Sequence, residues 1–306
     1  MRLAIDAESL ISVFNGENGN LEDAVRSSII SVTENILDDY DEKIFLDGSG
    51  MSHQWLKRIY DSPDRLRAVS DEELISYGLA NTQDLDSNYI GAAFLNGQLL
   101  IRENSSKAAL TLAKKYGVKV ITPDDEVDFK NLDGHNVIKS HTLNSSTKHK
   151  HNIIRSYFNQ ETEVIIYDRY LKESSILLLE NILPHIAANA TVSVISEFEK
   201  YGVPSKDVKD RLQKAAPRRT INCYYPDFKE QSDKHDRHIH LGQRFQLTFT
   251  SGLDCFGSHP TWNNSECDIQ VFYLGLECST RDYVVADRPG LGRSFKIRAF
   301  SKNAQS

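Results

Sequence analysis

The 306-residue chain lacks the apolar runs that a membrane span requires. No stretch approaches the roughly 18 consecutive apolar residues of a transmembrane helix. The N-terminus reaches the carboxylate of Asp6 before the apolar core of a signal peptide could form. Hydrophobic residues make up 40% of the chain and charged residues 26%, which is typical of globular proteins. We therefore expect a cytoplasmic protein that is neither secreted nor inserted in a membrane.

Cysteine is scarce and is poorly placed for metal binding. The four cysteines are Cys223, Cys255, Cys267 and Cys278, and no two of them form a Cys-x-x-Cys pair. Their spacing fits no common zinc pattern. We therefore expect reduced thiols, as in most cytosolic proteins.

Basic residues are few in the first third of the chain. Residues 1–100 carry 18 acidic and 7 basic side chains, whereas residues 101–306 carry 25 acidic and 29 basic ones. This acidity argues against broad electrostatic binding of nucleic acid by the first third. It is compatible with a cluster of carboxylates that holds a divalent cation.

Strand and helix patterns alternate along the chain, which predicts an α/β protein with a mostly parallel sheet in its first part. There we predict strands at 3–5, 43–46, 99–101 and 118–121, and helices at 21–37, 86–95 and 105–116. A polar segment at 132–158 is predicted to be a linker between a first domain, 1–131, and a second domain, 159–306. The second domain begins with strands at 164–167 and 191–195 and becomes more β-like after residue 220.

Polar residues follow the apolar segments of the first domain. Asp6 ends the first strand, Asp86 opens a helix, and Asn104 follows the strand at 99–101. This order, together with the closing helix and strand at 114–123, resembles the PIN-type nucleases. The resemblance covers residues 2–128 and rests on the order of these elements more than on any single motif.

The resemblance to PIN nucleases implies a metal site at the carboxyl ends of parallel strands. A Mg²⁺ or Mn²⁺ ion for hydrolysis of a phosphodiester would be held by Asp6, Asp86 and an intervening glutamate. We choose Glu73 as that glutamate. The family's fourth acidic position falls on Asn104, which brings no negative charge. Both an active nuclease and a PIN-like scaffold without turnover therefore remain open.

Several of these acids also have structural interpretations. Glu73 is the third residue of a capping box that begins at Ser70, and Glu72 and Asp84 are nearby alternatives for the metal ligand. The run of charges at 38–42 is most simply a solvated helix or loop surface.

Three short segments of the second domain resemble the phospholipase-D-like domain at the C-terminus of MIT-domain proteins, over residues 160–275. The first segment places Asp168, Arg169 and Tyr170 after an apolar strand. The second is His235-Asp236-Arg237-His238, and the third leads from the strand at 245–249 into Ser251-Gly252-Leu253-Asp254.

The phospholipase-D resemblance implies recognition of a phosphate group. The residues assigned to it are Asp168, Arg169, Tyr170, Arg237, His238, Ser251 and Asp254. Active phospholipases D carry a repeated His-x-Lys motif, and this chain contains none. Phosphate binding is therefore implied more readily than hydrolysis, although His235 could act as a nucleophile. Two alternatives remain open. One is a metal site formed by His235, His238 and His240, and the other is a structural ion pair between Asp236 and Arg237.

The leading hypothesis is a metal-dependent nuclease whose second, phosphate-binding domain positions or regulates an RNA or DNA substrate. A bacterial toxin or phage-defence effector would combine domains in this way, and a protein partner is compatible with it. Two rivals remain. One is a phosphodiesterase that uses His235, and the other is a non-catalytic adaptor for a phosphate-bearing ligand.

Overall fold

The chain divides into two α/β units, Met1–Ile138 and Lys139–Ser306, so the predicted fold class is confirmed at this level. The computed structural model describes residues 2–16, 19–46, 50–79, 83–125, 137–144, 147, 150–227, 237–256, 266–273, 278–288 and 294–302. Within these ranges no helix is both long enough and apolar enough to cross a membrane.

The first unit is built on a parallel sheet with the strand order β3-β2-β1-β4-β5. Its strands are β1 (Arg2–Ile5), β2 (Ile29–Val32), β3 (Leu66–Ala68), β4 (Leu99–Ile101) and β5 (Lys119–Ile121). β1 and β4 are neighbours at the centre, with Ile5 paired to Ile101. The carboxyl ends of these two strands therefore lie side by side.

Seven helices accompany this sheet in the described part of the first unit. They are α1 (Ala7–Asn15), α2 (Gly19–Ser27), α3 (Glu34–Ile44), α4 (Met51–Tyr60), α5 (Asp71–Ser76), α6 (Leu85–Phe94) and α7 (Lys107–Tyr116). α6 is buried on every side from Ser87 to Phe94 and packs on β1, β2 and β4. A helix without a polar face belongs inside a domain, and α6 is the central helix of this core.

Helix N-caps follow the ends of the first four strands. In each case the N-cap side chain accepts a hydrogen bond from a backbone N–H in the first turn of its helix. The N-caps of α1, α3, α5 and α7 are Asp6, Thr33, Ser70 and Ser106, respectively. Such side chains satisfy amide groups that a helix leaves unpaired at its start. The strand-to-helix turns at the carboxyl edge of the sheet are therefore specified by single polar residues.

The region between β1 and α4 differs from its prediction. The predicted helix at 21–37 is interrupted by β2, and the predicted strand at 43–46 is the end of α3 and a turn. The prediction was wrong because Ile29, Ile30 and Val32 also fit helical spacing. Their β-branched side chains suit a buried strand, and pairing of β2 with β1 and β3 decides the outcome.

The second unit contains a mixed sheet of nine strands in the order β14-β13-β9-β8-β7-β10-β11-β12-β6. The strands are β6 (Val137–Asn144), β7 (Glu163–Tyr167), β8 (Thr191–Ile195), β9 (Thr220–Pro226), β10 (Arg237–Leu241), β11 (Phe245–Phe249), β12 (Glu266–Tyr273), β13 (Cys278–Ala286) and β14 (Phe295–Lys302). β7, β8 and β9 run parallel, while β10 pairs antiparallel with β7.

The segment predicted as a polar linker, 132–158, contains regular structure. It includes β6 and the helix α8 (Lys150–Phe158), which precedes α9 (Glu173–Ile182) and α10 (Ser205–Ala215). Ile154 and Phe158 of α8 are fully buried. The polar composition of 132–152 hid this apolar helix face, so the second unit begins earlier than predicted.

The turn between α6 and β4 brings the backbone of two segments into close approach at Gly97. Gly97 has a φ of +93°, and a Cβ there would lie 2.6 Å from the carbonyl oxygen of Arg2. We expect Gly97→Ala to lower the free energy of unfolding by about 2 to 3 kcal/mol, because it combines backbone strain with a clash. Urea denaturation measures this change.

Gly50→Ala is the matched control, since Gly50 also has a positive φ of +66° but nothing lies within 4 Å of a Cβ there. We expect a smaller loss, about 1 kcal/mol, from strain alone. Equal losses in the two variants would contradict the close approach at Gly97.

Candidate functional site

The carboxyl edge of the first sheet brings Asp6 next to the end of β4. Asp6 follows β1, and its backbone N–H donates to the carbonyl oxygen of Ile101 at 3.1 Å. Its side chain accepts a hydrogen bond of 2.8 Å from the backbone N–H of Ser9, which caps α1. Asp6 is therefore held by the strand on one side and by the helix on the other.

Arg102 bridges Asp6 and Asp86. Its Nε lies 3.2 Å from Oδ2 of Asp6, and its Nη1 lies 2.5 Å from Oδ1 of Asp86. The hydroxyl of Ser106 donates to the other oxygen of Asp86 at 3.3 Å. Asp6 and Asp86 thus converge as the sequence predicted, but they converge on an arginine.

Burial raises the pKa of Asp6 above its usual value of 3.8. The hydrogen bonds from Ser9 and the positive charge of Arg102 act in the opposite direction, and they do not cancel the effect of burial. The carboxylate is therefore less well stabilised here than it would be in water.

Glu73 occupies its structural role rather than a place beside Asp6. Its carboxylate accepts from the backbone N–H of Ser70, which completes the capping box, and pairs with Arg67 at 2.7 Å. Of the two alternatives, Glu72 lies on the same short helix, and Asp84 caps α6 through the backbone N–H of Asp86. The described contacts join none of the three to Asp6.

Asn104 lies on the exposed segment between β4 and α7. In the described part of the chain, no hydrogen bond or ion pair connects it to Asp6 or Asp86. Arg102, two residues earlier, is the side chain that reaches both carboxylates. The side chain that reaches the two acids from this strand end is therefore a cation at position 102, and not the predicted Asn104.

Asp39 is an acid that the sequence prediction missed. It is buried on α3, accepts a hydrogen bond of 2.7 Å from the hydroxyl of Tyr89, and pairs with Lys43 at 3.3 Å. Burial raises the pKa of Tyr40 and of Tyr89 well above the usual 10.0, and the charges of Asp6 and Asp39 add to this effect. Asp6 and Asp39 therefore act on the same buried tyrosines.

A signal for Asp39 was present in the sequence. Ile36, Tyr40 and Ile44 are buried on α3, and Asp39 lies three residues after Ile36 on the same side of the helix. With 43–46 predicted as a strand, this helical spacing was not recognised, and residues 38–42 were interpreted as solvated.

The acids of the first unit do not fit a metal site as they stand. Among the described residues, no group of three His, Cys, Asp or Glu side chains is placed to hold a metal ion. Arg102 contacts both Asp6 and Asp86, and Glu73 is engaged with Arg67. The positive charge that lies between these two carboxylates thus comes from the protein itself.

In the second unit, Asp168 connects the end of β7 to a distant loop. Its side chain, buried at 1% exposure, accepts from the backbone N–H of Tyr170 at 3.0 Å and from that of Leu253 at 3.2 Å. Its Oδ1 lies 4.0 Å from Nε of Arg237, the first residue of β10. Three sequence-predicted residues, Asp168, Tyr170 and Arg237, therefore meet at one place.

The ring of Tyr170 packs against two guanidinium groups. The Cζ atom of Arg169 lies 5.7 Å from the ring centroid, and that of Arg237 lies 5.3 Å from it. Arg169 also pairs with Glu197, which binds Lys200 at 2.7 Å. The hydrogen bonds to Glu197 raise the pKa of Arg169. Both arginines are thus held by an aromatic ring and a carboxylate.

Tyr167, the last residue of β7, lies beside this cluster. Its ring stacks on Tyr283 with centroids 5.1 Å apart, and the guanidinium of Arg281 lies 6.0 Å from the Tyr283 ring. The Tyr167 hydroxyl is buried and has no hydrogen-bond partner in the described part of the chain. Tyr167 and Arg281 were not predicted as site residues, because neither lies in a recognisable motif.

The other residues assigned to phosphate binding have separate surroundings. Nδ1 of His238 lies 3.1 Å from the hydroxyl of Thr248, and Nε2 of His240 lies 2.7 Å from that of Tyr283. The pKa of the nearby Cys267 thiol is lowered to about 6, chiefly by Cys255 and against the opposing effect of burial, with Ser251 as a further cause. The Ser251 hydroxyl itself has no hydrogen-bond partner among the described residues. Asp254 lies in a short 3₁₀ turn, 253–256, where its side chain is not described. His235 lies outside the described residues.

No protein-family model matches this chain, and no curated protein sequence matches it either.

Stability should depend on pH through Asp6. The folded state holds the Asp6 proton more tightly than the unfolded chain does, because burial raises its pKa. Its contribution to stability is therefore complete below the usual pKa and is lost as pH rises through the folded pKa. Asp6→Asn cannot ionise, so we expect its free energy of unfolding to rise relative to the wild type as pH increases from about 4 through the raised pKa of the folded state.

Urea unfolding at a series of pH values tests this expectation, with Asp64→Asn as a control because Asp64 is exposed in the same unit. A difference between Asp6→Asn and the wild type that stays constant with pH, or that falls as pH rises, would count against the effect of burial.

Proposed function

We propose that the second unit binds a phosphate-bearing ligand, a nucleic-acid backbone in the first instance, at the end of β7. The observation that carries this proposal is the position of Arg237. Its guanidinium lies against Tyr170 and near Asp168, and 22% of its side chain stays exposed. A guanidinium that is oriented by its neighbours and still reachable from solvent is suited to bind phosphate oxygens.

The charges around Arg237 favour an anion. Among the described residues, four cationic side chains lie in or next to this cluster, Arg169, Lys200, Arg237 and Arg281, and the carboxylates that pair with them are Asp168 and Glu197. Both carboxylates are buried, so they orient the cations without facing the solvent. An excess of positive charge at a site whose acids are already used attracts a negatively charged ligand.

Unused hydrogen-bond donors support the same ligand class. Nε of Arg237 and the hydroxyl of Tyr167 are buried without a hydrogen-bond partner among the described residues. Buried donors normally have partners, so two of them at one strand end call for an explanation. A bound phosphate would provide acceptor oxygens there and draw the side chains into hydrogen-bonding positions.

Binding without hydrolysis is the form of this proposal that the sequence supports. The order of Asp168-Arg169-Tyr170, Arg237 and Ser251 resembles the phospholipase-D-like domain of MIT-domain proteins, yet no His-x-Lys motif is present. The nucleophile and the lysine of that chemistry are therefore not both available. For the second unit we therefore favour an adaptor that holds a phosphodiester without cleaving it.

Removal of the guanidinium should weaken binding and reduce its dependence on salt. We expect Arg237→Ala to lower the affinity for labelled single-stranded RNA or DNA about tenfold. The slope of log affinity against log salt should fall by about 0.7, because one phosphate contact is lost. Fluorescence anisotropy over a range of salt concentrations measures both quantities on the full chain.

Arg218→Ala is the matched control, since Arg218 is an exposed arginine on a turn of the same unit. We expect it to leave the affinity and the slope nearly unchanged. Identical behaviour of the two variants, or no binding of either oligonucleotide by the wild type, would overturn the proposal.

Metal-dependent nuclease activity of the first unit is the second candidate. The convergence of Asp6 and Asp86 at the carboxyl end of a parallel sheet is the observation in its favour. Against it stand the engagement of both acids with Arg102 and the place of Glu73 in a capping box. Because these residues do not fit a metal, no catalytic step is assigned to them.

A cleavage assay distinguishes the three functions. We expect the wild type to leave labelled RNA and DNA intact with Mg²⁺, with Mn²⁺ and in EDTA. Cleavage that requires the metal and is lost in Asp6→Asn would replace our proposal with the nuclease. Cleavage in EDTA that is lost in His235→Ala would replace it with the phosphodiesterase.

A further inference from the structure

The first unit contains an internal cation at the point where its carboxylates meet. Asp6 comes from the start of α1 and Asp86 from the first turn of α6, and Arg102 follows β4. One guanidinium contacts both acids, at 3.2 and 2.5 Å. Carboxylates that converge from separate elements repel each other unless a cation lies between them.

The neighbouring acid is balanced in the same way. Asp39 pairs with Lys43, and Lys43 also pairs with Glu8 at 3.2 Å. Arg102 and Lys43 thus each pair with two carboxylates, Asp6 and Asp86 for Arg102, and Asp39 and Glu8 for Lys43. Arg102 is the more enclosed of the two cations, with 16% of its side chain exposed against 39% for Lys43.

We propose that the guanidinium of Arg102 takes the position of a divalent cation between Asp6 and Asp86, and that it thereby keeps metal ions from binding there. The first unit then needs no metal, and its two converging acids serve to fix α1 and α6 at the sheet edge. This inference concerns the first unit alone and stands independently of phosphate binding by the second. It also accounts for why the acids converge while no metal group is formed by the described residues.

Removal of the Arg102 guanidinium should allow a metal ion to bind to the two carboxylates. Arg102→Ala leaves Asp6 and Asp86 without their shared cation, and Mn²⁺, which prefers carboxylate oxygens, can neutralise them. We expect Arg102→Ala to bind Mn²⁺ at least tenfold more tightly than the wild type. Electron paramagnetic resonance of free Mn²⁺, titrated with the full chain, gives the two affinities.

Three variants make the test specific. Arg102→Lys keeps a positive charge and should bind Mn²⁺ no better than the wild type. The double variant Asp6→Asn with Arg102→Ala should lose the gained affinity. Arg67→Ala removes an arginine from the ion pair with Glu73 in the same unit and should produce no gain.

Circular dichroism establishes that each variant is folded, and Arg102→Gln replaces Arg102→Ala if the latter is not. Mn²⁺ affinity in the folded variant equal to that of the wild type would overturn the proposal. Tight Mn²⁺ binding by the wild type itself, lost in Asp6→Asn, would overturn it as well, since a metal would then displace Arg102 unaided.

Discussion

The pairing of Arg102 with Asp6 and Asp86 is the interaction on which the first unit depends. It joins the ends of β1 and β4 to the start of α6, the helix that forms the centre of the core. A buried carboxylate is costly unless a partner offsets the loss of water, and the raised pKa of Asp6 shows that the compensation is incomplete. The burial of Asp6 at this edge of the sheet therefore costs stability, while its pairing with Arg102 holds the charged groups together.

The second unit also pairs carboxylates with arginines at a strand end, but the arrangement differs. There the carboxylates of Asp168 and Glu197 are buried, and the arginines beside them keep part of their surface in solvent. In the first unit 27% of the Asp86 side chain is exposed beside Arg102, whereas in the second unit both acids are buried next to their arginines. Equivalent strand ends of two α/β sheets thus present surfaces of different character, and the proposed ligand site follows from the second arrangement.

Much of the fold followed from the sequence, because its strong signals were local. Strands β1, β4, β7 and β8 lie where apolar runs predicted them, and the capping box at Ser70 begins a helix as expected. The failures came where a local pattern was ambiguous. β2 fits helical spacing as well as strand spacing, and only pairing with β1 and β3, which brings together distant residues, selects the strand.

The candidate sites were predictable to the extent that they lie at strand ends. Asp6 and Asp168 were identified in this way, Asp86 at the start of a helix and Arg237 in a His-Asp-Arg-His motif, and the structure brings these four residues into two clusters. Arg102, Asp39 and Tyr167 were missed for different reasons. Arg102 has a charge opposite to the one sought, Asp39 lies in a run of acids that looked solvated, and Tyr167 depends on Tyr283, which is distant in sequence.

The bond from Leu253 to Asp168 also bears on the order in which the protein folds. The two residues are separated by 85 positions, and Tyr283, which stacks on Tyr167, lies still later in the chain. Contacts of such long range form slowly, because the loop between them must close first. On a ribosome, the first unit has left the tunnel before Leu253 and Tyr283 have been made. The nascent β7 therefore lacks these two contacts until late in synthesis, and incomplete packing of this kind exposes a chain to misfolding.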